Sequence, residues 1–354
     1  MKKTILAVAI PAVLLAGNVS AFEAYNGDAG SVEVYGQLRA TLSKSPDKDI
    51  TLNDGSSRAG VNALYTVTDD VDVFARLEYS ISYDKDAMAN RLGYFGFTGD
   101  FGKVILGKQY LTADDLWGVD NSYWFGGSHV VEGTVSGGKH DSAIRYILET
   151  DFATFDASYG LAEDGAAAQV AELFVSKDIA GFSLTAGVSS AEQEHGAFDY
   201  KVDDTTTVNV KAGAVDDLYY TLWAERTFGD LTVGAQFASS AMESDALAVD
   251  IDRQGYTLAL NYALSAKSDV YGGYEFTEIE ARADQVGLAE NDDYTNVYVG
   301  AVHRFNSYFR LWAEAAYSDG VTLGYKNNKN DGFSVSPSVV DGDAQFAIGA
   351  RVYW

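Results

Sequence analysis

The sequence predicts an all-β chain, a sixteen-stranded antiparallel β-barrel that spans a membrane. Three observations lead there. First, apolar and polar residues alternate with period two in stretches of about ten residues, the pattern of a strand with lipid on one side and water on the other. Second, the last residues keep that alternation to the end: Phe346, Ile348, Ala350, Val352 and Trp354 share one face, and Gln345, Arg351 and Tyr353 the other. Third, no run of eighteen apolar residues follows the N-terminal segment, yet hydrophobic residues make up 47% of the chain, with 23 Tyr and 18 Phe. Helices and closed barrels are the two ways to cross lipid with every backbone group paired. Without an apolar helix, the barrel remains, against a soluble secreted fold.

The N-terminal segment reads as a secretory signal. Lys2 and Lys3 form a charged start, Ile5 to Ala16 is apolar, and Val19-Ser20-Ala21 offers a small-residue cleavage site,. Cleavage after Ala21 would leave Phe22 first, with Ala24 a second possible cut. Residues 1–21 are thus the signal and 22–354 one barrel domain. The segment carries two lysines and no acid, so its removal takes the net charge from -26 to -28. There is no cysteine, hence no disulfide framework,.

Each element follows from alternation. Val71, Val73, Ala75, Leu77, Tyr79, Ile81 and Tyr83 oppose Asp72, Arg76, Glu78 and Ser80. Tyr256, Leu258, Leu260 and Tyr262 oppose Arg253, Thr257 and Asn261, and Leu311, Ala313 and Ala315 oppose Arg310, Trp312 and Glu314. Strands are expected near 31–42, 57–67, 71–83, 89–98, 103–110, 142–150, 153–160, 168–177, 182–191, 217–228, 231–242, 253–263, 269–281, 293–305, 308–317 and 343–354. Tight turns at Thr68-Asp69-Asp70, Gly99 to Gly102, Asp178 to Gly181, Gly229-Asp230 and Asn306-Ser307 alternate with long polar loops,. The loops are Ser43–Ser56, Leu111–His140, Glu192–Val215, Glu243–Asp252, Arg282–Asp292 and Ser318–Gly342. Short turns on one rim and long loops on the other suit an outer-membrane barrel. Tyr65, Tyr79, Tyr83, Tyr94, Tyr146, Phe152, Phe228, Tyr262, Phe305 and Tyr308 fall near strand ends, where aromatic girdles would meet the interfaces,. All three prolines, Pro11, Pro46 and Pro337, lie outside the expected strands,.

Sixteen strands leave an aqueous bore, where eight would fill their own interior. Here the chain resembles the general diffusion porins of Gram-negative outer membranes. Val34-Tyr35-Gly36-Gln37 resembles that family's first-strand motif. Arg91-Leu92-Gly93-Tyr94-Phe95-Gly96-Phe97, followed by Gly102 and Gly107-Lys108-Gln109, resembles the hairpin leading into its third loop.

The resemblance implies that the third loop, Leu111 to about His140, folds inward and narrows the bore. Its acids are Asp114, Asp115, Asp120 and Glu132. The opposing cation wall maps to Arg58, Arg91 and Arg145, all read as lumen-facing, and to Arg39, where the family's usual cation aligns with Gln37 instead. An acid face opposite a base face sets a field across a narrow wet gap. Further implications are a homotrimer, lipid and lipopolysaccharide around the barrel, and small hydrophilic solutes with mild cation preference inside it. A terminal aromatic is read by the barrel-assembly machinery; Trp354 stands there where Phe is usual.

One departure opens an alternative. Phe125-Gly126-Gly127 follows Tyr123-Trp124 instead of the family's Pro-Glu, and Trp117 lies seven residues before Trp124. Aromatic faces stack on sugar rings, so a saccharide-selective channel, for example for chito-oligosaccharides, competes with simple packing of the loop. Enzyme readings find little support. His129, His140, His195 and His303 have no ligand-like spacing, the acidic pairs match no metal loop, and no phosphate-binding glycine loop occurs,. No catalytic residue, metal or cofactor is expected, and the negative charge argues against nucleic acid.

Overall fold

The computed structural model describes residues 22–45, 49–83, 87–116, 118–127, 138–164, 167–201, 207–246, 249–283, 288–328 and 332–354. The first strands are β1 (Phe22–Gly27), β2 (Gly30–Lys44), β3 (Thr51–Asn53), β4 (Arg58–Thr68), β5 (Val71–Ser82), β6 (Ala87–Gly99) and β7 (Gly102–Tyr110). One helical turn, α1 (Thr112–Asp115), opens the segment before β8 (Lys139–Glu149). Then come β9 (Thr154–Gly160), β10 (Gln169–Ile179), β11 (Phe182–His195), β12 (Phe198–Lys201), β13 (Thr207–Val210) and β14 (Gly213–Phe228). The series ends with β15 (Leu231–Ser244), β16 (Val249–Ser265), β17 (Ser268–Ala283), β18 (Leu288–Asn306), β19 (Phe309–Asn328) and β20 (Gly332–Tyr353).

Eighteen strands share one sheet, and β12 with β13 forms a separate hairpin. The short β1 and β3 pair with β2 alone. The other sixteen pair each with the next, all antiparallel, and β20 returns to β2 from Gln37↔Tyr353 to Lys44↔Phe346. The ladder therefore closes, as lipid requires, since an open edge would leave unpaired N–H and C=O groups. Beyond the reach of β20, β1 takes up the same edge of β2, pairing Phe22 with Val34.

Burial runs opposite to that of a soluble protein. On β16, Tyr256, Leu258, Leu260 and Tyr262 are exposed, while Arg253, Thr257 and Ala259 are buried. Apolar side chains face the lipid and polar ones face inward, as alternation demands. Most of the expected girdle residues point outward, including Tyr65, Tyr83, Tyr146, Phe152, Phe228, Tyr262, Phe305 and Tyr308. Tyr94 is a correction: it lies opposite Arg76 and meets Phe74 edge-on at 6.5 Å inside the barrel, because Phe95 and Phe97 take the outward positions.

The expected strand number is met, and the tight turns fall where read. Ala180 and Gly181 both have positive φ, 52° and 82°, which fits the right-handed twist of a two-residue hairpin,. The long polar stretches differ. Much of Glu243–Asp252, Arg282–Asp292 and Ser318–Gly342 continues as strand, with β19 and β20 paired out to Asn328↔Gly332. A hairpin ladder satisfies its own backbone and needs no apolar face once it leaves lipid, so alternation fades before pairing does.

Gly36 and Trp354 show how closely the closing strands meet. Gly36 N donates to Trp354 O at 2.9 Å, and Trp354 N donates to Gly36 O at 3.1 Å. A Cβ on Gly36 would fall on the indole ring. Overpacking of this kind costs about 1–3 kcal/mol. Gly36→Val is expected to lower the yield of folded barrel, read as heat-modifiable migration on gels, while Trp354→Phe, which keeps a ring over the glycine, folds as the parent does. Equal folding of Gly36→Val would show that the indole moves aside freely.

Candidate functional site

Residues 111–116 and 118–127 follow β7 along the inner wall, held by inward side chains. In α1, Thr112 N donates to Ser158 Oγ at 3.1 Å, Thr112 Oγ1 to Asp156 Oδ1 at 3.0 Å, and Ala113 N to Glu172 Oε2 at 2.9 Å. The first amides of a helix have no partner within it; here the wall supplies them. Farther on, Tyr123 N and Phe125 N donate to Glu314 at 2.7 and 2.5 Å, and Trp124 N at 3.2 Å. Gly127 N donates to Glu275 Oε1 at 2.9 Å, and Asn296 Nδ2 donates to both Phe125 O and Glu275 Oε2. Asp120 accepts from Tyr298 Oη at 2.7 Å and from Ser122. Three buried glutamates on β10, β17 and β19 thus bind the segment by its backbone. Such charge-assisted bonds contribute about 1.5–3 kcal/mol each.

The aromatic run packs as well as bonds. Tyr123 and Trp124 stack on Trp312 with centroids 5.6 and 6.3 Å apart, within a cluster that includes Tyr271, Tyr298 and Val302.

The arginines expected on the wall fall into two groups. Arg58 and Arg91, joined by Arg76, which is not among the expected wall residues, surround Glu78 on β5, with Arg91 Nη1 at 2.6 Å, Arg76 Nη2 at 3.0 Å and Arg58 Nε at 4.0 Å. Tyr35 Oη donates to the same carboxylate at 2.8 Å and accepts from Arg76 Nε at 2.6 Å. Arg39 joins this group through Gln37, whose amide oxygen, turned toward the guanidiniums, accepts from Arg58 Nε at 2.6 Å and Arg39 Nη2 at 2.8 Å. One carboxylate among these four arginines leaves the wall positive. Arg145 lies elsewhere. It is buried on β8, clamped by Asp156 through Nε at 2.8 Å and Nη2 at 2.6 Å, and its Nη1 reaches Asp115 in α1 at 2.8 Å.

Arg91 reaches the interior by a route that period two does not contain. Its parity is that of the outward Phe95 and Phe97. The register slips there, from Glu78↔Leu92 to Tyr79↔Asn90, so Arg91 is the extra residue of a β-bulge. Bulges re-aim side chains, and this one turns Arg91 onto Glu78 and the Tyr110 hydroxyl.

Of the loop acids, Asp115 is paired with Arg145, Asp120 is bound by Tyr298 and Ser122, and Asp114 lies half-buried in α1. Glu132 and Trp117 lie outside the described residues. Sequence reasoning did not assign Glu172, Glu275 and Glu314 as loop anchors or Glu78 as the hub. Their inward parity was the available signal.

The sequence profile of Gram-negative porins matches residues 4–323. The chain belongs to that family. It is 26% identical over 353 residues to the major outer membrane protein of Pasteurella multocida, covering 91% of this chain and 96% of that one. A protein of Halomonas named a monosaccharide porin is 23% identical over 362 residues, with 90% and 95% covered. Among solved structures, the trimer form of OmpT, an outer membrane protein of Vibrio cholerae, is 36% identical with a TM-score of 0.81, covering 92% of this chain and all of that one. This porin is therefore a multi-pass barrel of the outer membrane, and its family serves transport across it.

Glu314→Gln removes the charge that gathers three consecutive amides. Hydrogen exchange at Tyr123, Trp124 and Phe125 is expected to speed up about tenfold or more, from the loss of at least one charge-assisted bond. Unchanged exchange would mean that the ring stack alone holds the segment.

Proposed function

We propose that this porin is a water-filled passage for passive diffusion of small hydrophilic solutes and ions, mildly preferring cations. The observation that carries it is a sixteen-strand barrel whose inward segment is bound to one stretch of wall while Arg39, Arg58 and Arg91 line another. The constriction lies between that arginine wall and the loop acids Asp114, Asp115 and Asp120. The charge of -28 after signal removal favours cations at the mouths, and the arginines oppose it locally. Assembly as a homotrimer is supported by the trimer form of the OmpT relative. Lipopolysaccharide and lipid surround the barrel, and Trp354, paired at the closing seam, serves as the mark read by the assembly machinery.

Reversal potentials under a KCl gradient in planar bilayers test the preference. Cation selectivity is expected at low salt and should shrink as the Debye length falls from about 10 Å at 0.1 M to about 3 Å at 1 M. Clear anion preference at low salt would overturn it. Replacing Arg58 and Arg91 by Ala should raise the cation permeability ratio about twofold per charge, the effect of roughly 0.5 kcal/mol at a hydrated site. Arg145→Ala should differ, since it leaves Asp156 and Asp115 without their cation and loosens α1.

The saccharide alternative draws on the Halomonas relative's name and needs a free indole face. Trp124 instead stacks on Trp312. Millimolar oligosaccharide is expected to leave the ion current unblocked; resolvable block that vanishes in Trp124→Ala would establish the sugar channel.

A further inference from the structure

Four inward arginines lie directly opposite one another on four consecutive strands. Arg39 on β2 pairs with Arg351 on β20, Arg351 with Arg310 on β19, and Arg310 with Arg304 on β18. Like charges directly opposite are destabilising, and a guanidinium does not shed its proton to relieve them. The row ends on one carboxylate, Asp269, 2.5 Å from Arg304. Among the described residues, no carboxylate lies within 4.0 Å of Arg39, Arg310 or Arg351.

Neutral groups take the carboxylates' place. Arg39 Nη1 donates to Gly55 O at 3.0 Å. Arg310 Nη1 donates to Tyr123 Oη at 3.2 Å, and its guanidinium lies 5.0 Å from the Tyr123 ring and 5.2 Å from that of Tyr353. Arg351 Nη1 donates to Tyr353 Oη at 3.3 Å. The Nε atoms of Arg310 and Arg351 are buried without an acceptor. A buried donor on a charged group is costly when unpaired, and the neutral partners of these two arginines leave their positive charge unbalanced.

The row also has a direction. Arg304 and Arg310 flank the short turn between β18 and β19, whereas Arg39 lies in the middle of β2 beside the Glu78 group. Tyr123 of the inward segment lies over its centre. The arginines therefore climb the wall from the short-turn mouth, which is periplasmic in an outer-membrane barrel, to the level of the loop.

We propose that this row is a binding track for solute oxyanions, phosphate above all, between the constriction and the periplasmic mouth. A tetrahedral dianion accepts from two neighbouring guanidiniums at once, each offering a planar fork. Chloride, a single sphere, gains only the local potential. The track coexists with mild cation preference: small cations follow the overall field, and polyvalent oxyanions dwell on the row. This inference rests on the channel reading above.

The test is conductance of the purified protein in planar bilayers as potassium phosphate replaces KCl at fixed ionic strength, above the second ionisation of phosphate. The parent current should fall saturably with phosphate. The Arg310→Gln, Arg351→Gln double variant should raise the half-effect concentration about tenfold or more, the loss of a charge-assisted contact. Arg351→Lys, which keeps the charge and loses the fork, should fall between. Arg226→Gln removes one charge off the row, where Arg226 sits over Phe182 and Phe228, and should match the parent. Heat-modifiable migration verifies the barrel in each. A parent current that follows solution conductivity without saturation, or a double variant equal to the parent, would overturn the track alone. A protein that conducts in neither salt would overturn the channel reading and the track with it.

Discussion

Closure of the backbone ladder between β2 and β20 is the constraint on which the rest depends. In lipid there is no water to take an unpaired amide, and each costs several kcal/mol. Closure fixes register, and register decides which inward side chains become neighbours. It sets Arg39 opposite Arg351, and it places Gly36 under Trp354. The electrostatic character of the wall thus follows from pairing required for another reason.

The interior is organised by buried carboxylates used in two ways. Glu172, Glu275 and Glu314 accept from the backbone of the inward segment, so they hold its shape whatever side chains it displays. Glu78 accepts from side chains and gathers arginines from β4, β5 and β6. The first use fixes a loop in place. The second keeps cations at a fixed depth without neutralising them, because one charge serves several.

Much of this was legible in the sequence. Period-two alternation locates sixteen strands because lipid enforces it residue by residue, and Gly, Asp and Asn mark the tight turns of one rim, with positive φ at Gly102, Ala180, Gly181 and Gly229. Alternation says nothing once strands leave lipid, which is why the continuation of β19 to Asn328 and of β20 from Gly332 has the look of loop in sequence. It also fails at a bulge. The register slip at Asn90–Leu92 reverses the face of Arg91, and the outward Phe95 and Phe97 send Tyr94 inward. The loop anchors stayed hidden for a different reason. Glu314 is visibly inward in sequence, but its partners are backbone amides, which carry no residue signature. Cross-strand rows such as Arg39, Arg351 and Arg310 need register between segments far apart in the chain, which no local pattern supplies.

The inner wall carries a repeated contact between a ring and a glycine on the adjacent strand. Tyr35 lies over Gly60, Phe74 over Gly96, Phe174 over Gly187, Tyr271 over Gly300 and Trp312 over Gly349, each ring occupying the place a Cβ would take. The rings are thereby laid flat against the sheet. A single methyl added at such a glycine would lie within 3 Å of the ring, so the ring would have to shift to make room for it. The glycines act as levers on the aperture: the smallest residues in the wall set how much of its largest side chains a passing solute meets.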